Sequence, residues 1–171
     1  MSHLWPHPPY AEDQPYAHAI LTTHVLFRGF ETGAFIGPLI GTARHIRLRR
    51  SLPPPHTPHF FITLLRSTGS SAVITTGIVA VGLVARMWGR EDIEWKDRSW
   101  RLLENKGQIE VGQWSAAGIG AGAIILATSG YAKEVGWRGQ VGSCGMGAAV
   151  GVLNYLVWRY GVKGGQWKNE A

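Results

Sequence analysis

The chain has 171 residues, 45% of them hydrophobic and 16% charged, with 23 glycines and a single cysteine. That length is one domain, and the glycine excess and charge deficit are unlike an ordinary soluble fold. The basic excess, 17 Lys and Arg against 11 Asp and Glu, does not read as nucleic-acid binding, because the arginines cluster at the ends of apolar runs, where they anchor membrane spans. The mean hydropathy of −0.02 is diluted by a polar N-terminus and a charged stretch near the middle. With only Cys144, no internal disulfide is possible.

Residues 1–16 form a proline-rich polar tail without Lys or Arg. This matches neither a secretory signal nor an arginine-rich presequence, so targeting is expected to be internal. His3 and His7 belong to this solvated tail.

The first span is expected at 17–43. Gly29, Gly33, Gly37 and Gly41 recur every fourth residue, which on a helix gives a bare stripe along which a second backbone can approach. In water such a helix would be poor, since each helical glycine costs about 1 kcal/mol relative to alanine. In a bilayer the alternative is an unsatisfied backbone, so the helix forms and the stripe becomes a packing face. Arg28 and Glu31, three residues apart, form an intramembrane ion pair on one face. Such a pair marks a functional position or a partner contact, or merely locks the helix.

Arg44 to Arg50 contains four arginines and is followed by Pro53, Pro54 and Pro55. The arginines are expected to end the span at a headgroup boundary, and the prolines to make a stiff hairpin loop. His45, His56 and His59 have no carboxylate or cysteine at ligand spacing, so no metal site is expected.

A second span is expected at 60–87. It is uncharged from Ser67 to Ala85, close to the roughly 20 residues that cross a hydrocarbon core. Its early hydroxyls read as helix contact, Arg66 as a snorkelling side chain, and Val79 as lipid-facing.

Residues 88–110 form an amphipathic connector. Trp88, Trp95, Leu102 and Ile109 repeat at sevens, and Asp92–Lys96, Glu94–Arg98 and Asp97–Arg101 are opposite charges at i,i+4. Basic and acidic residues balance at six each from Arg86 to Glu110. This favours a protein contact over attraction to lipid charge, with the four heptad residues as docking anchors.

The third span, 111–132, places Gly118–Gly122 and Gly112–Ala116–Gly120 on adjacent faces, enough for two neighbours. The fourth, 139–158, carries Gly139, Ser143, Gly147 and Gly151 at fours and mirrors the first. Tyr155, Trp158 and Tyr160 make an aromatic belt, and residues 161–171 a polar tail containing Lys163 and Lys168. The expected fold is therefore all-α, with a single membrane domain over 17–160 in which four transmembrane helices are packed by glycine zippers. The termini share one side, and the Arg44–Arg50 loop lies on the other.

No phosphate-binding loop, dinucleotide fingerprint, HExxH, CxxC or GxSxG occurs, so no catalytic residue, metal or cofactor is expected of this chain.

The glycine pattern at 29–41, the arginines at 44–50 and the run from Gly139 to Gly151 resemble the mitochondrial inner-membrane superfamily of import-translocase subunits. A membrane-arm accessory subunit of respiratory complex I belongs to the same superfamily, and the whole sequence looks like a fungal accessory subunit of that complex. The resemblance implies a supernumerary, non-catalytic subunit of NADH:ubiquinone oxidoreductase in the inner membrane, with termini toward the intermembrane space. Its partners would be other membrane subunits and lipids, a bound phospholipid included, and not nucleic acid. The competing reading is a component of an inner-membrane protein translocase.

Overall fold

The computed structural model describes residues 5–52 and 58–165. Pro53, Pro54, Pro55 and His56 of the expected hairpin loop lie outside them, as do His3 and Lys168 of the tails. The described residues form a 3-10 turn at Ala11–Asp13, five α-helices and no strand: α1 (Ala17–Ser51), α2 (Phe60–Met87), α3 (Asp92–Glu104), α4 (Lys106–Thr128) and α5 (Ala132–Leu156), the last continued by a π-helical turn, Val157–Val162.

Three stretches are long and apolar enough to cross a membrane: Phe60–Met87, Lys106–Thr128 and Ala132–Val162. They correspond to the second, third and fourth expected spans. α1 is not among them, because Arg28, Glu31, four glycines and the terminal arginines dilute its apolar content. The arginines do not end this helix, which runs through all four of them to Ser51. Arginine is a good helix former, and four positive charges at a helix C-terminus complement its dipole.

The boundaries elsewhere differ by a turn. α4 starts at Lys106, five residues before the expected span, because Asn105 caps it by accepting a hydrogen bond from the Gln108 backbone N–H at 3.1 Å. The connector helix is correspondingly short and ends at Glu104. Gly136 has φ 64 and ψ −179, a left-handed backbone that suits glycine, so the regular part of α5 begins after it.

α1 and α2 form one antiparallel hairpin and α4 and α5 another. They meet through α2 and α5, which run parallel, giving the spatial order α1–α2–α5–α4. α5 also touches α1, with Gly145 against Ala34. The helix-end contacts define two ends. Residues 5–16, α3 and the C-terminal turn share one, and the end of α1, the start of α2 and the 129–131 connection share the other.

The burial pattern is the reverse of a soluble bundle. Ala34, Thr68, Ala72, Ser115 and Ala148 are fully buried, whereas Ile74, Ile78, Val81, Ile124 and Ile125 are 60% or more exposed. Small and hydroxyl residues at the seams with large aliphatics outward is the arrangement compatible with a multi-pass membrane protein. Two of the threonine hydroxyls of α2 are satisfied locally, Thr68 donating to the Leu64 carbonyl at 2.9 Å and Thr76 to the Ala72 carbonyl at 2.7 Å, whereas Ser67 Oγ is buried without a partner among the described residues.

Charge is divided unequally between the ends. Arg44, Arg47, Arg49, Arg50, Arg66, Lys133 and Arg138 lie at the loop end with one acidic residue, Glu134, an excess equal to the chain's whole formal charge of +6. Everywhere else acids and bases cancel.

Candidate functional site

The α1–α2 seam is built on the glycine stripe. A Cβ on Gly33 would stand 2.5 Å from Ala72 Cα, one on Gly41 3.0 Å from Leu64 Cα, one on Gly29 3.1 Å from Thr76 Cα, and one on Gly37 3.0 Å from the Thr68 nitrogen. All four distances are shorter than packed carbons tolerate, so each glycine is fixed by backbone it touches rather than by helix propensity. Val79 is not lipid-facing as the sequence suggested. Its Cγ2 covers Gly29, and the exposed positions of that turn are Ile78 and Val81.

Along the α4–α5 seam, Gly118 and Gly122 oppose Gly147 and Ser143, and Gly151 lies against Trp114 and Ser115. Ser143 Oγ closes it by donating to the Gly122 carbonyl at 2.7 Å. Gly139 is not part of this seam. The atoms nearest its missing side chain belong to Val135 of its own helix, brought close by the left-handed Gly136. The second small face of α4 is bare: Ala116, Gly120, Ala123 and Ala127 are exposed, and nothing lies within 4 Å of a Cβ on Gly120.

Sequence reading missed the seam that joins the hairpins. A Cβ on Gly69 would stand 2.8 Å from the Gly142 nitrogen, and one on Gly142 3.0 Å from the Gly69 nitrogen. The signal available was the spacing of threes at Gly139, Gly142 and Gly145, which lies beside the spacing of fours that was followed.

Arg28 and Glu31 pair on α1. Glu31 is buried, with its side chain 7% exposed, and Arg28 is three-quarters buried. Arg28 Nη2 also donates to the Gln108 carbonyl at 2.9 Å, in the first turn of α4. One guanidinium therefore neutralises the buried carboxylate and ties α1 to α4, two helices that otherwise barely touch. Glu31 Oε1 and Arg28 Nε are buried and have no protein partner. Beside the pair lies a narrow cleft lined by Trp5, Ile20, His24, Phe27, Leu103 and Gly112, among others.

The three i,i+4 ion pairs expected on the connector all form, with Lys96–Asp92 at 3.3 Å, Arg98–Glu94 at 3.7 Å and Arg101–Asp97 at 2.9 Å. Its apolar face is turned into this chain. Trp95 stacks on His18 with ring centroids 4.2 Å apart, Leu102 lines the cleft beside α1, and Trp100 Nε1 donates to the Pro8 carbonyl at 2.9 Å. Ile109 belongs to α4 and lines the same cleft. Of the four heptad residues Trp88, in the α2–α3 turn, is 82% exposed, whereas Trp95, Leu102 and Ile109 are half-buried against this chain. The heptad is broken because Asn105 restarts the helix, so residues seven apart no longer share an axis.

Two histidines fasten this layer. His7 Nε2 lies 2.7 Å from Glu104 Oε1, and His18 Nε2 3.1 Å from Asp92 Oδ1. Hydrogen bonds from His18 and then Lys96 hold the Asp92 carboxyl below its ordinary value of 3.8.

Among the described residues no three His, Cys, Asp or Glu side chains come together as a metal site. No protein family, curated protein or solved structure matches this chain.

Proposed function

We propose that this chain is a non-catalytic accessory subunit of a large membrane assembly, a four-span bundle whose work is to fill and brace a position between larger subunits. The mitochondrial inner membrane and the membrane arm of NADH:ubiquinone oxidoreductase are the site and assembly that the sequence resemblance suggests. α1 serves as the fourth span. It follows α2 through four glycines and turns Phe35, Ile36, Leu39 and Ile40 outward.

The observation that carries the reading is the uncovered small-residue face of α4. Ala116, Gly120, Ala123 and Ala127 repeat what the buried seams use to bring backbones together, yet no helix among the described residues occupies them. A row of four helices with a close-packing face on its outermost member is suited to receive a neighbour's helix. Exposed Trp88 adds an aromatic anchor at the membrane edge.

Native electrophoresis of mitochondria solubilised in mild detergent tests the assembly. Co-migration of the tagged chain with NADH dehydrogenase activity in a megadalton band is the expected result. Migration with a smaller import complex would favour the translocase component instead.

A further inference from the structure

At the loop end of the α2–α5 crossing, two arginines pass each other in opposite directions. Arg66 reaches from α2 to α5, its Nε donating to the Val135 carbonyl at 3.0 Å and its Nη2 to the Glu134 carbonyl at 2.8 Å. Arg138 reaches back, its Nε donating to Ser70 Oγ at 2.7 Å, and that hydroxyl donates to the Arg66 carbonyl at 2.8 Å. Ser70 thus ties the Arg138 guanidinium to the turn of α2 that carries Arg66.

Among the described residues neither cation has an ion-pair partner. Glu134 is the one acidic residue at this end, and its carboxylate pairs with neither arginine. Arg66 Nη1 and both Nη atoms of Arg138 carry no hydrogen bond, and both side chains are exposed. Two cations anchored at one helix crossing favour an anion beside them, and planar guanidinium edges match the paired oxygens of a phosphodiester.

The surroundings identify the kind of anion. Arg66 and Ser70 continue along the same face of α2 into exposed Val73 and Ile74 and then Gly77, where nothing lies within 4 Å. An apolar lane therefore leads from the two cations along a helix apolar enough to span a membrane. Trp137, 62% exposed and adjacent to Arg138, sits at headgroup level. We propose that Arg66 and Arg138 form a binding site for the phosphate of an anionic phospholipid, whose acyl chain lies along Val73, Ile74 and Gly77. Basic clefts between spans are where such headgroups are held. This site needs only a bundle in a bilayer, and not membership of any particular complex.

The test uses the full chain reconstituted in vesicles of phosphatidylcholine with a minor fraction of phosphatidylglycerol. Retained lipid is identified by native mass spectrometry after extraction. We expect phosphatidylglycerol to be enriched over its vesicle fraction by about tenfold, the order of one charge-assisted bond. Arg138→Gln, which removes a single contact within the protein, should abolish the enrichment, and Arg138→Lys should keep part of it. Arg47→Gln with Arg50→Gln, on the end of α1, should leave it intact. Enrichment that survives Arg138→Gln in a folded, vesicle-bound protein would overturn the site, as would its loss in the α1 variant. Excess inorganic phosphate should leave the lipid in place, and displacement by it would mean the site takes free anions. Vesicle flotation reads insertion separately, and a chain that stays with the soluble fraction removes the membrane premise and the site with it.

Discussion

At the scale of single residues, the strongest constraint is the Arg28–Glu31 pair. The carboxylate has almost no access to solvent, and its charge is tolerable only because a guanidinium touches it. Arg28→Ala strands a buried anion and cuts the tie from α1 to Gln108 together, so we expect a loss of about 3 kcal/mol or more. Chemical or thermal unfolding of the purified protein measures it. Replacing both partners with apolar residues, Arg28→Met with Glu31→Leu, should recover most of that loss. A double variant no more stable than Arg28→Ala would mean the tie to α4, rather than charge burial, dominates. The pair itself was legible in the sequence from its i,i+3 spacing. Its second contact was not, because the accepting carbonyl belongs to the backbone and carries no signature of residue type.

Asp92 acts at the same scale outside the bundle. Its carboxyl is held low by His18 and Lys96, so what it contributes to seating α3 is fully present above the ordinary value of 3.8 and is lost as pH falls through the lower folded value. Amide exchange in α3, corrected for intrinsic rates, should therefore change little between pH 7 and pH 5 by way of Asp92 and rise only in stronger acid. Asp92→Asn should remove that acid step. An acid step that survives in Asp92→Asn would mean that Asp92 does not carry the response.

At the scale of helices, the seams differ in how visible they are beforehand. A four-residue period announces Gly29 to Gly41, since few helices would carry that many glycines without a backbone to meet. The α2–α5 crossing rests on one glycine from each helix, and a lone Gly69 among serines and threonines looks like any small-polar turn of a span. Val79 was misread for a related reason: periodicity places a residue on a face, but not which neighbour that face will meet. The connector failed differently. Its ion pairs were readable because they are local to one helix, whereas the heptad assumed a continuous axis that the Asn105 cap interrupts. Leucine at Gly33 or Gly69 should force backbones apart at a cost of about 1–3 kcal/mol, read as lowered steady-state level or lowered melting temperature. Val81→Leu, at an exposed position, is the control that should be silent. Gly120→Leu separates folding from assembly: it should leave the isolated bundle unchanged and impair incorporation into the parent complex.

For the whole molecule, charge and orientation go together. The end bearing Arg44 to Arg50, Arg66 and Arg138 holds the entire positive excess, and positive ends of spans stay on the side from which they insert. For the inner-membrane location proposed above that side would be the matrix, and both termini would then face the intermembrane space. Labelling by a membrane-impermeant maleimide checks this in a Cys144→Ser background. Trp88→Cys should react in mitoplasts without further permeabilisation, and Arg47→Cys only after it. The opposite pattern reverses the topology, and reaction of both at the same stage removes α2, the helix between the two positions, as a span.

The division into two hairpins also sets an order in time. Each hairpin closes between helices adjacent in the chain, joined by eight residues between α1 and α2 and three between α4 and α5. The α2–α5 crossing joins segments some 70 residues apart and must wait until α5 has emerged. The first hairpin thus spends part of its biogenesis with the Gly69 groove vacant, open to any small-faced helix nearby. A chaperone or an early assembly partner that occupied this groove and was displaced by Gly142 would make insertion of the second hairpin the signal for its own release.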